Sequence, residues 1–282
     1  MSDNQLESLA SNAFENRTVL MSGGSRGIGL AILLALAKRG ANIVLLAKTD
    51  VPHPKLPGTI HTAVEEIKAA GGKVVGVVGD VRVDEDVQRA VATAVETFGG
   101  IDILIHNASV INEAGTADLP LKRYDLMQGV NVRGMFSLTQ AALPHLAKSP
   151  NAQILSIAPP LNMSPYWLGK FPAYTLSKYG MTVLALGFAA EFAEQNIASN
   201  CLWPETTIAT AAVKNLQPDP EAAMHAREPE VMADAATLIL ARPSSATGEV
   251  LIDAEVLTGA GVTDLSTYGG SEPLDLDFYI DA

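Results

Sequence analysis

One cysteine, few basic residues and the lack of a long apolar run exclude several classes of protein. The single cysteine, Cys201, cannot form an internal disulfide, and its apolar, strand-like surroundings in the sequence favour a buried and unreactive thiol. Lys and Arg total 19 residues against 31 Asp and Glu, which gives a formal net charge of −12. Such a charge does not suit a protein that binds nucleic-acid phosphates or an anionic membrane surface.

The two ends of the sequence show no targeting pattern. Residues 1–16 are polar and acidic, without the basic and apolar regions of a secretory signal peptide. The last residues, Ile280-Asp281-Ala282, differ from a peroxisomal signal, and no apolar stretch reaches the roughly 18 residues that span a bilayer. We therefore expect no membrane span and a cytoplasmic location.

With 282 residues, of which 48% are hydrophobic, the chain can bury a large core. Short apolar runs, typical of parallel strands covered on both faces, alternate with longer amphipathic segments that predict helices. The predicted strands are Thr18–Met21, Asn42–Ala47, Lys73–Val78, Ile101–His106, Gln153–Ile157, Ala198–Trp203 and Glu249–Ile252. The predicted helices are Gly27–Arg39, Thr59–Ala70, Asp84–Phe98, Leu121–Leu146, Pro172–Glu194 and Pro229–Ala241. This alternation predicts an α/β fold, a single doubly wound Rossmann domain with a seven-stranded parallel sheet flanked by helices.

We divide the chain into an N-terminal extension (residues 1–15), the Rossmann domain (16–262) and an acidic C-terminal tail (263–282). Within the domain, the loop Thr49–Gly58 contains three prolines and lengthens the connection between the second strand and its helix. The tail has five acidic residues and no basic residue, and it is either a disordered end or an ordered arm over a subunit or a substrate cleft. Its apolar residues favour the arm: Leu274, Leu276, Phe278, Tyr279 and Ile280.

A glycine-rich segment, Ser22-Gly23-Gly24-Ser25-Arg26-Gly27-Ile28-Gly29, follows the first strand and opens the first helix. Glycine allows a tight turn here, close approach of the backbone to a pyrophosphate, and close packing of helix against strand. The helix N-terminus adds unpaired N–H donors and partial positive charge. We assign five residues of this segment to a dinucleotide cofactor: Gly23, Ser25, Arg26, Ile28 and Gly29.

The spacing Gly-x3-Gly-x-Gly, preceded by Ser22, resembles the motif of the short-chain dehydrogenase/reductase family, and the resemblance covers about residues 16–255. It implies an oxidoreductase that moves a hydride between nicotinamide and a carbonyl or alcohol. Asp80 corresponds to a family aspartate that binds the adenine ring. His106-Asn107-Ala108-Ser109 corresponds to Asn-Asn-Ala-Gly and departs from it at both ends. The further cofactor contacts that we assign are Asp80, Val81, Asn107, Ala108, Pro204 and Thr206.

The end of the second strand favours NADP(H). An acidic residue there would bind the ribose hydroxyls of NAD and repel a 2′-phosphate. The corresponding residue is Ala47, which Lys48 follows, and Arg26 in the glycine-rich segment adds a second cation. Two cations without an anion can form charge-assisted hydrogen bonds with a 2′-phosphate. We therefore predict NADP(H) as the cofactor and Lys48 as one of its contacts.

Two Tyr-x3-Lys pairs are candidates for proton transfer. Tyr166–Lys170 contains a glycine and is followed two residues later by Pro172, so we do not expect it within a helix. Tyr174 and Lys178 begin a long helical pattern and share one face of it. An ammonium about 4 Å from the phenol would lower its pKa by roughly three units at an effective dielectric of about 20. We choose Tyr174 as the acid/base and Lys178 as its partner.

The family resemblance adds two roles to this pair. It implies that Lys178 also binds the nicotinamide ribose. It further implies that Asn131, in Val130-Asn131-Val132, is a catalytic residue that holds a water near the lysine.

A serine that polarises the substrate oxygen in this family is missing. Its position falls on Pro159 by strand alignment, or on Leu161 by counting back from Tyr174, and neither side chain can donate a hydrogen bond. The loss of one such donor typically costs about 10²–10³ in rate. Three nearby residues are candidates to replace it: Ser156, Asn162 and Ser164.

Longer strings resemble a hydroxysteroid dehydrogenase-like subgroup of the family: Ala47-Lys48-Thr49, Pro159-Pro160-Leu161-Asn162 and Leu202-Trp203-Pro204. In animal members a sterol-carrier domain follows, which we do not expect in a chain of this length. The resemblance implies an apolar, lipid- or steroid-like carbonyl or alcohol as substrate. It also implies a homodimer or homotetramer, because family members pair their long helices across subunits.

We therefore expect an NADP(H)-dependent short-chain oxidoreductase that acts on CH–OH groups. The missing serine leaves an alternative, an NADP(H)-binding redox sensor or scaffold with weak or no turnover, and a purely structural role is the third reading. We assign no metal ligands and no nucleic-acid partner.

Overall fold

Seven parallel strands form one sheet in the computed structural model, which describes residues 4–53, 57–211, 213 and 222–281. The strands are β1 (Thr18–Ser22), β2 (Asn42–Ala47), β3 (Lys73–Val78), β4 (Ile103–His106), β5 (Ala152–Ile157), β6 (Ile197–Trp203) and β7 (Val250–Ile252). Their order is β3-β2-β1-β4-β5-β6-β7, so the chain adds strands on one side of β1 and then on the other. This confirms the predicted doubly wound Rossmann domain, in which ligands bind at the carboxyl ends of the strands where the order reverses.

Helices cover both faces of the sheet. They are α1 (Gln5–Ser8), α2 (Gly27–Ala37), α3 (Ile60–Ala69), α4 (Asp84–Phe98), α5 (Leu121–Met127), α6 (Gly134–Leu146), α7 (Pro165–Lys170), α8 (Pro172–Glu191), α9 (Glu230–Leu240) and α10 (Asp253–Gly259). One buried core lies beneath α2, α3 and α9, and a second lies beneath α4, α6 and α8. Because side chains alternate along a strand, Val19 and Met21 of β1 enter the first core and Leu20 enters the second. In the described part of the chain, no helix is long and apolar enough to cross a membrane.

The predicted strands and helices are present with shifted ends, and several features differ in kind. The edge strand β3 is not covered on both faces, since Val77 is its one buried residue. The helix α10 follows β7 directly and was not predicted, because seven residues are too few for a clear helical period. Residues 54–56 of the proline-containing loop lie outside the described residues.

The predicted helix Leu121–Leu146 is interrupted. A π-helical segment, Gln128–Arg133, separates α5 from α6. There the amide of Asn131 bonds the main chain of Val110: its Oδ1 accepts from the N–H at 2.8 Å, and its Nδ2 donates to the carbonyl at 3.0 Å. Such single-turn insertions do not alter a hydrophobic period enough to be read from sequence.

The prediction that Tyr166–Lys170 lies outside a helix is wrong, since these residues belong to α7. Ser164 caps this helix by accepting a hydrogen bond from the N–H of Trp167 at 3.5 Å. Pro165 fits the first turn, because the N–H that it lacks has no helical partner there. The next proline, Pro172, begins α8 and does not break α7.

The acidic tail forms an ordered arm against its own chain. The N–H of Asp277 donates to the carbonyl of Glu205 at 2.9 Å, which aligns the tail beside the segment after β6. Tyr279 is only 1% exposed. Four aromatic rings lie around it: Trp167, Tyr179, Trp203 and Phe278. Ala282 lies outside the described residues.

Candidate active site

Two adjacent cavities open at the carboxyl ends of the strands. The first, of about 320 Å³, lies against the glycine-rich segment, and we call it the glycine-loop cavity. The second, of about 490 Å³, contains Tyr174 and Lys178, and we call it the tyrosine cavity. Four residues line both cavities: Ile28, Asn107, Ser109 and Thr210. An elongated ligand can therefore extend from one cavity into the other.

The glycine-rich segment shapes the first cavity through close backbone contacts. Gly23 has a φ of +81°, and a Cβ there would come within 2.5 Å of the Cα of Ala108. A Cβ on Gly29 would come within 2.5 Å of the Nδ2 of Asn107, which itself donates to the carbonyl of Gly23 at 2.5 Å. Larger residues at either glycine would displace the loop after β4, so this cradle requires glycine.

Most residues that the sequence assigned to the cofactor line this cavity. They are Gly23, Ser25, Arg26, Ile28, Lys48, Asp80, Val81, Asn107 and Ala108. Gly29 lies behind the lining, where it allows the packing of α2 just described. The cradle, the helix N-terminus and the run of main-chain positions fit the phosphates and ribose of a dinucleotide.

The far end of the glycine-loop cavity is polar. Lys48 is exposed there, and the guanidinium of Arg26 donates to the Oγ1 of Thr49 at 2.8 Å. The Oδ2 of Asp80 lies 2.7 Å from an Arg82 nitrogen, and this hydrogen bond holds the pKa of Asp80 below its usual value. Asp80 is thus an ionised acceptor, and Arg82 is the partner that the sequence-based assignment missed.

Tyr174 and Lys178 lie together in the tyrosine cavity, one turn apart on α8. Tyr174 is 5% exposed, whereas Tyr166, the competing candidate, is 62% exposed and is absent from the lining of this cavity. Lys170, the partner of Tyr166 in the competing motif, does line it. The geometry therefore favours Tyr174 as the acid/base.

The expected effect of the ammonium on the phenol is wrong for this structure. Burial raises the pKa of Tyr174 well above its usual value, and the negative charges of Tyr279, Asp277 and Glu113 act in the same direction. The Nζ of Lys178 instead donates to the carbonyl of Ile157 at 2.6 Å. Desolvation dominates because both groups lie in a largely apolar cavity.

Lys178 itself is affected by the same surroundings. It is 2% exposed, and its Nζ lies 4.9 Å from the ring centre of Trp203. Burial lowers the pKa of Lys178 to about 8. The ammonium is therefore close to deprotonation in the physiological range, which a sequence pattern cannot reveal.

Asn131 does not reach the tyrosine cavity. Its side chain is 1% exposed and is fully engaged with Val110 and with the Oγ of Ser177, to which Nδ2 donates at 3.0 Å. Ser177 lies on α8 beside Lys178. Asn131 thus ties the chain after β4 to α8, the helix that carries Tyr174 and Lys178.

None of the three candidates for the missing serine lines the tyrosine cavity. Ser156 is fully buried in β5, and Ser164 caps α7. The Nδ2 of Asn162 donates to the carbonyl of Tyr279 at 3.2 Å and to the Oδ2 of Asp281 at 2.7 Å. The Pro-Pro-Leu-Asn loop therefore holds the tail and does not supply the missing donor.

The tail contributes residues to the tyrosine cavity that the sequence-based assignment missed. Asp277 and Phe278 line it, and the ring of Phe278 meets that of Tyr174 edge-on at 6.3 Å. The assignment of Thr206 also changes. Its side chain is buried away from both linings, and Thr207 and Thr210 lie there instead, while Pro204 lines the tyrosine cavity.

The fold and these two cavities define a class of protein. A family model described as short chain dehydrogenase matches residues 17–221. The chain belongs to this family of oxidoreductases, whose members bind a nicotinamide cofactor. The resemblance drawn from the glycine and Tyr-x3-Lys motifs is thereby confirmed.

Among curated proteins, the chain is similar to hydroxysteroid dehydrogenase-like protein 2 of Danio rerio, with 48% identity over 94% of this chain and 64% of that protein. The Homo sapiens protein of the same name is also 48% identical, and 63% of its length is covered. The chain thus spans less than two thirds of these relatives. This likeness confirms the subgroup to which the longer strings pointed.

Two solved structures show the same fold. A short chain dehydrogenase from Mycobacterium thermoresistibile has a TM-score of 0.91 and 50% identity, covering 95% of this chain and 96% of that one. A short chain dehydrogenase from Mycobacterium paratuberculosis bound to NAD has a TM-score of 0.72 and 23% identity, covering 87% and 99%. At that identity, the second likeness concerns the fold alone.

Proposed function

We propose that this protein is an NADP(H)-dependent oxidoreductase that transfers a hydride between nicotinamide and the carbonyl or alcohol group of an apolar substrate. The observation that carries the proposal is the adjacency of the two cavities. A dinucleotide held at the glycine-rich segment can reach past Asn107 and Ser109 into the cavity of Tyr174 and Lys178.

The residues of the tyrosine cavity perform the proton chemistry. When bound, the nicotinamide supplies or accepts the hydride at the substrate carbon. Because the pKa of Tyr174 is raised, its phenol carries a proton at neutral pH and can donate it to a carbonyl oxygen. Lys178 lies one helical turn further along α8 in the same cavity, and its Nζ is held by the carbonyl of Ile157 at 2.6 Å.

The character of the second cavity supports an apolar substrate. Its walls include four large apolar side chains around the catalytic pair: Ile111, Ile157, Phe171 and Phe278. A cavity of this kind binds a ligand mainly by burying apolar surface, while a few polar groups fix its orientation. A lipid- or steroid-like carbonyl compound meets both requirements.

The proposal is tested by turnover and binding together. NADPH binding is measured by fluorescence titration, and oxidation of NADPH is followed with decanal, 2-decanone and cyclohexanone. We expect binding and turnover, with the ten-carbon compounds preferred over cyclohexanone. Binding without turnover of any carbonyl would favour the redox sensor, to which the missing serine points. No binding would refute both readings.

The cofactor preference depends on the cations at the end of β2. Lys48→Asp removes a cation and adds an anion where a 2′-phosphate would lie. A hydrogen bond to a charged group contributes about 1.5–3 kcal/mol, which is roughly ten- to hundredfold in affinity. We expect the ratio of kcat/KM for NADPH to that for NADH to fall by at least about tenfold.

A matched control for this substitution is Lys148→Asp. Lys148 is exposed at the opposite end of the sheet, between α6 and β5. Its replacement by Asp changes the net charge by the same amount as Lys48→Asp, at a site that lines neither cavity. It should leave the cofactor ratio unchanged. An unchanged ratio in Lys48→Asp as well would refute the preference for NADP(H).

We also propose a homodimer or homotetramer. Apolar side chains are exposed on the helices that family members pair across subunits: Leu121, Phe136, Leu176 and Val183. Covering them in an assembly would remove apolar surface from water. Light scattering of the purified protein tests this, and a monomer would contradict it. The cytoplasmic location stays a prediction.

A further inference from the structure

The tyrosine cavity needs a hydrogen-bond donor for the substrate oxygen besides Tyr174. In other family members the serine lies in the segment after β5. Here the polar side chains of that segment bind elsewhere: Asn162 binds the tail, and Ser164 caps α7. Polar side chains that line this cavity come instead from other segments. Asn107, Ser109 and Thr210 lie on the side shared with the glycine-loop cavity, where the dinucleotide would reach. Besides the catalytic pair, four polar residues line the tyrosine cavity alone, namely Glu113, Lys170, Thr207 and Asp277, and of these Asp277 lies on the tail.

Asp277 interacts with both members of the catalytic pair. Its negative charge raises the pKa of Tyr174, and the ammonium of Lys178 in turn lowers the pKa of Asp277. All three groups line the same space of about 490 Å³.

The tail holds Asp277 in place from both sides. Before it, the carbonyl of Asp275 accepts from the N–H of Thr207 at 2.8 Å. After it, the carbonyl of Phe278 accepts from the indole N–H of Trp203 at 2.9 Å. The Asp277 Oδ1 accepts from the N–H of Phe278 at 2.7 Å, which fixes the carboxyl rotamer and leaves Oδ2 for another partner.

The surroundings of Asp277 favour its protonated form. Burial raises the pKa of Asp277 to about 7, and the charge of Asp253 on α10 acts in the same direction. Lys178 on α8 opposes this. Tyr174, Glu113 and Lys170 line the same cavity, and the charge of Asp277 also raises the pKa of Tyr279. A carboxylic acid kept neutral by an apolar site can donate a hydrogen bond to a substrate oxygen.

We propose that the carboxyl group of Asp277 donates to the substrate oxygen the hydrogen bond that other family members obtain from serine. The inference rests on the proposed oxidoreductase function. No covalent step is added: Asp277 keeps its proton, and the proton that the oxygen gains comes from Tyr174. A tail segment about one hundred residues from the acid/base thus completes the catalytic group.

The proposal predicts a split between two substitutions. Asp277→Leu removes the donor at similar size and should lower kcat/KM for decanal reduction by NADPH about 10²–10³-fold, the usual effect of losing one such donor. Asp277→Asn keeps an N–H donor and should retain activity within about tenfold. Asp275→Leu, at an exposed position of the same tail, should change activity by less than about threefold.

The pH profile gives a second readout. Above pH 7, Asp277 ionises, so the donor is lost and a negative charge opposes the one developing on the oxygen. In the wild type, kcat/KM for reduction should be level below about pH 7 and fall above it. The Asp277→Asn variant should lose this decline and keep only the decline caused by deprotonation of Lys178 at higher pH. The control Asp275→Asn should show the same decline as the wild type.

A third readout needs neither cofactor nor substrate. In a ¹³C NMR titration of the aspartate carboxyl groups, the wild type should show one titrating near pH 7 that disappears in Asp277→Asn. The absorbance titration of Tyr174 should shift to lower pH in that variant, because a neighbouring negative charge is gone. If the carboxyl group of Asp277 titrates near pH 4 in the folded protein, the proposal is overturned.

The possible failures are distinguishable. If the wild type itself reduces no carbonyl, the proposed function fails. If the wild type is active and Asp277→Leu, folded by its Tm, retains activity within threefold, only the role of Asp277 fails. Equal losses in Asp277→Asn and Asp277→Leu would also overturn that role. So would a loss in Thr207→Val as large as in Asp277→Leu, since Thr207 would then be the donor.

Discussion

Replacing Tyr174 by Phe should lower kcat for carbonyl reduction by about 10²–10⁴-fold, the range that general acid catalysis supplies. The substitution removes one oxygen from a side chain that is 5% exposed and keeps the ring that packs against Phe278. The cavity therefore keeps its shape, and the glycine-loop cavity is untouched. NADPH affinity, measured by fluorescence titration, should change by less than about threefold.

The second Tyr-x3-Lys motif provides the matched control. Tyr166→Phe makes the same chemical change at a phenol that is 62% exposed, on α7 and outside the cavity lining. It should leave kcat unchanged within about twofold. Equal losses in the two variants, or a fully active Tyr174→Phe, would contradict the assignment of the acid/base.

Replacing Tyr279 by Ala should have the largest effect on stability among the tail positions. Truncating a large buried aromatic side chain to alanine typically lowers the free energy of unfolding by about 3–5 kcal/mol. Tyr279 is 1% exposed, and its hydroxyl lies 3.2 Å from the Oγ1 of Thr175. We expect urea unfolding to give a free energy of unfolding that is lower by about 3–5 kcal/mol.

The same substitution should also affect catalysis, because Tyr279 anchors the segment that carries Asp277 and Phe278. KM for decanal should rise more than KM for NADPH, since the tail lines the tyrosine cavity alone. Leu276→Ala is the control: Leu276 is 41% exposed in the same tail, and its truncation should cost less than about 1 kcal/mol. Similar losses in the two variants would contradict the role of Tyr279 as the main anchor of the tail.

The sequence was sufficient for the sheet and the glycine-loop cavity for a physical reason. Both depend on local patterns: strand and helix periods, and glycines where a Cβ would collide with the chain after β4. Gly23 illustrates this, since its φ of +81° and its contact with Ala108 leave glycine as the suitable residue. The periods and the glycine spacing are visible in the sequence, although the contact of Gly23 with Ala108 joins segments that are distant along the chain.

The tyrosine cavity was only half predictable because its remaining groups come from distant segments. Asp277 has no periodic or motif signal, and its place beside Tyr174 depends on the docking of the tail. Asn162 was a candidate to replace the missing serine because it lies beside Leu161 in the sequence, yet its amide is used by Tyr279 and Asp281. The raised pKa of Tyr174 likewise follows from burial, which spacing along a helix does not specify.

The docking of the tail gives this protein a built-in optical signal. The chain has two tryptophans, and both indole N–H groups donate to the tail: Trp203 to the carbonyl of Phe278, and Trp167 to the Oδ1 of Asp281 at 2.8 Å. Release of the tail would transfer both donors to water. Intrinsic tryptophan fluorescence therefore reports, without any label, whether the tail is docked along the tyrosine cavity.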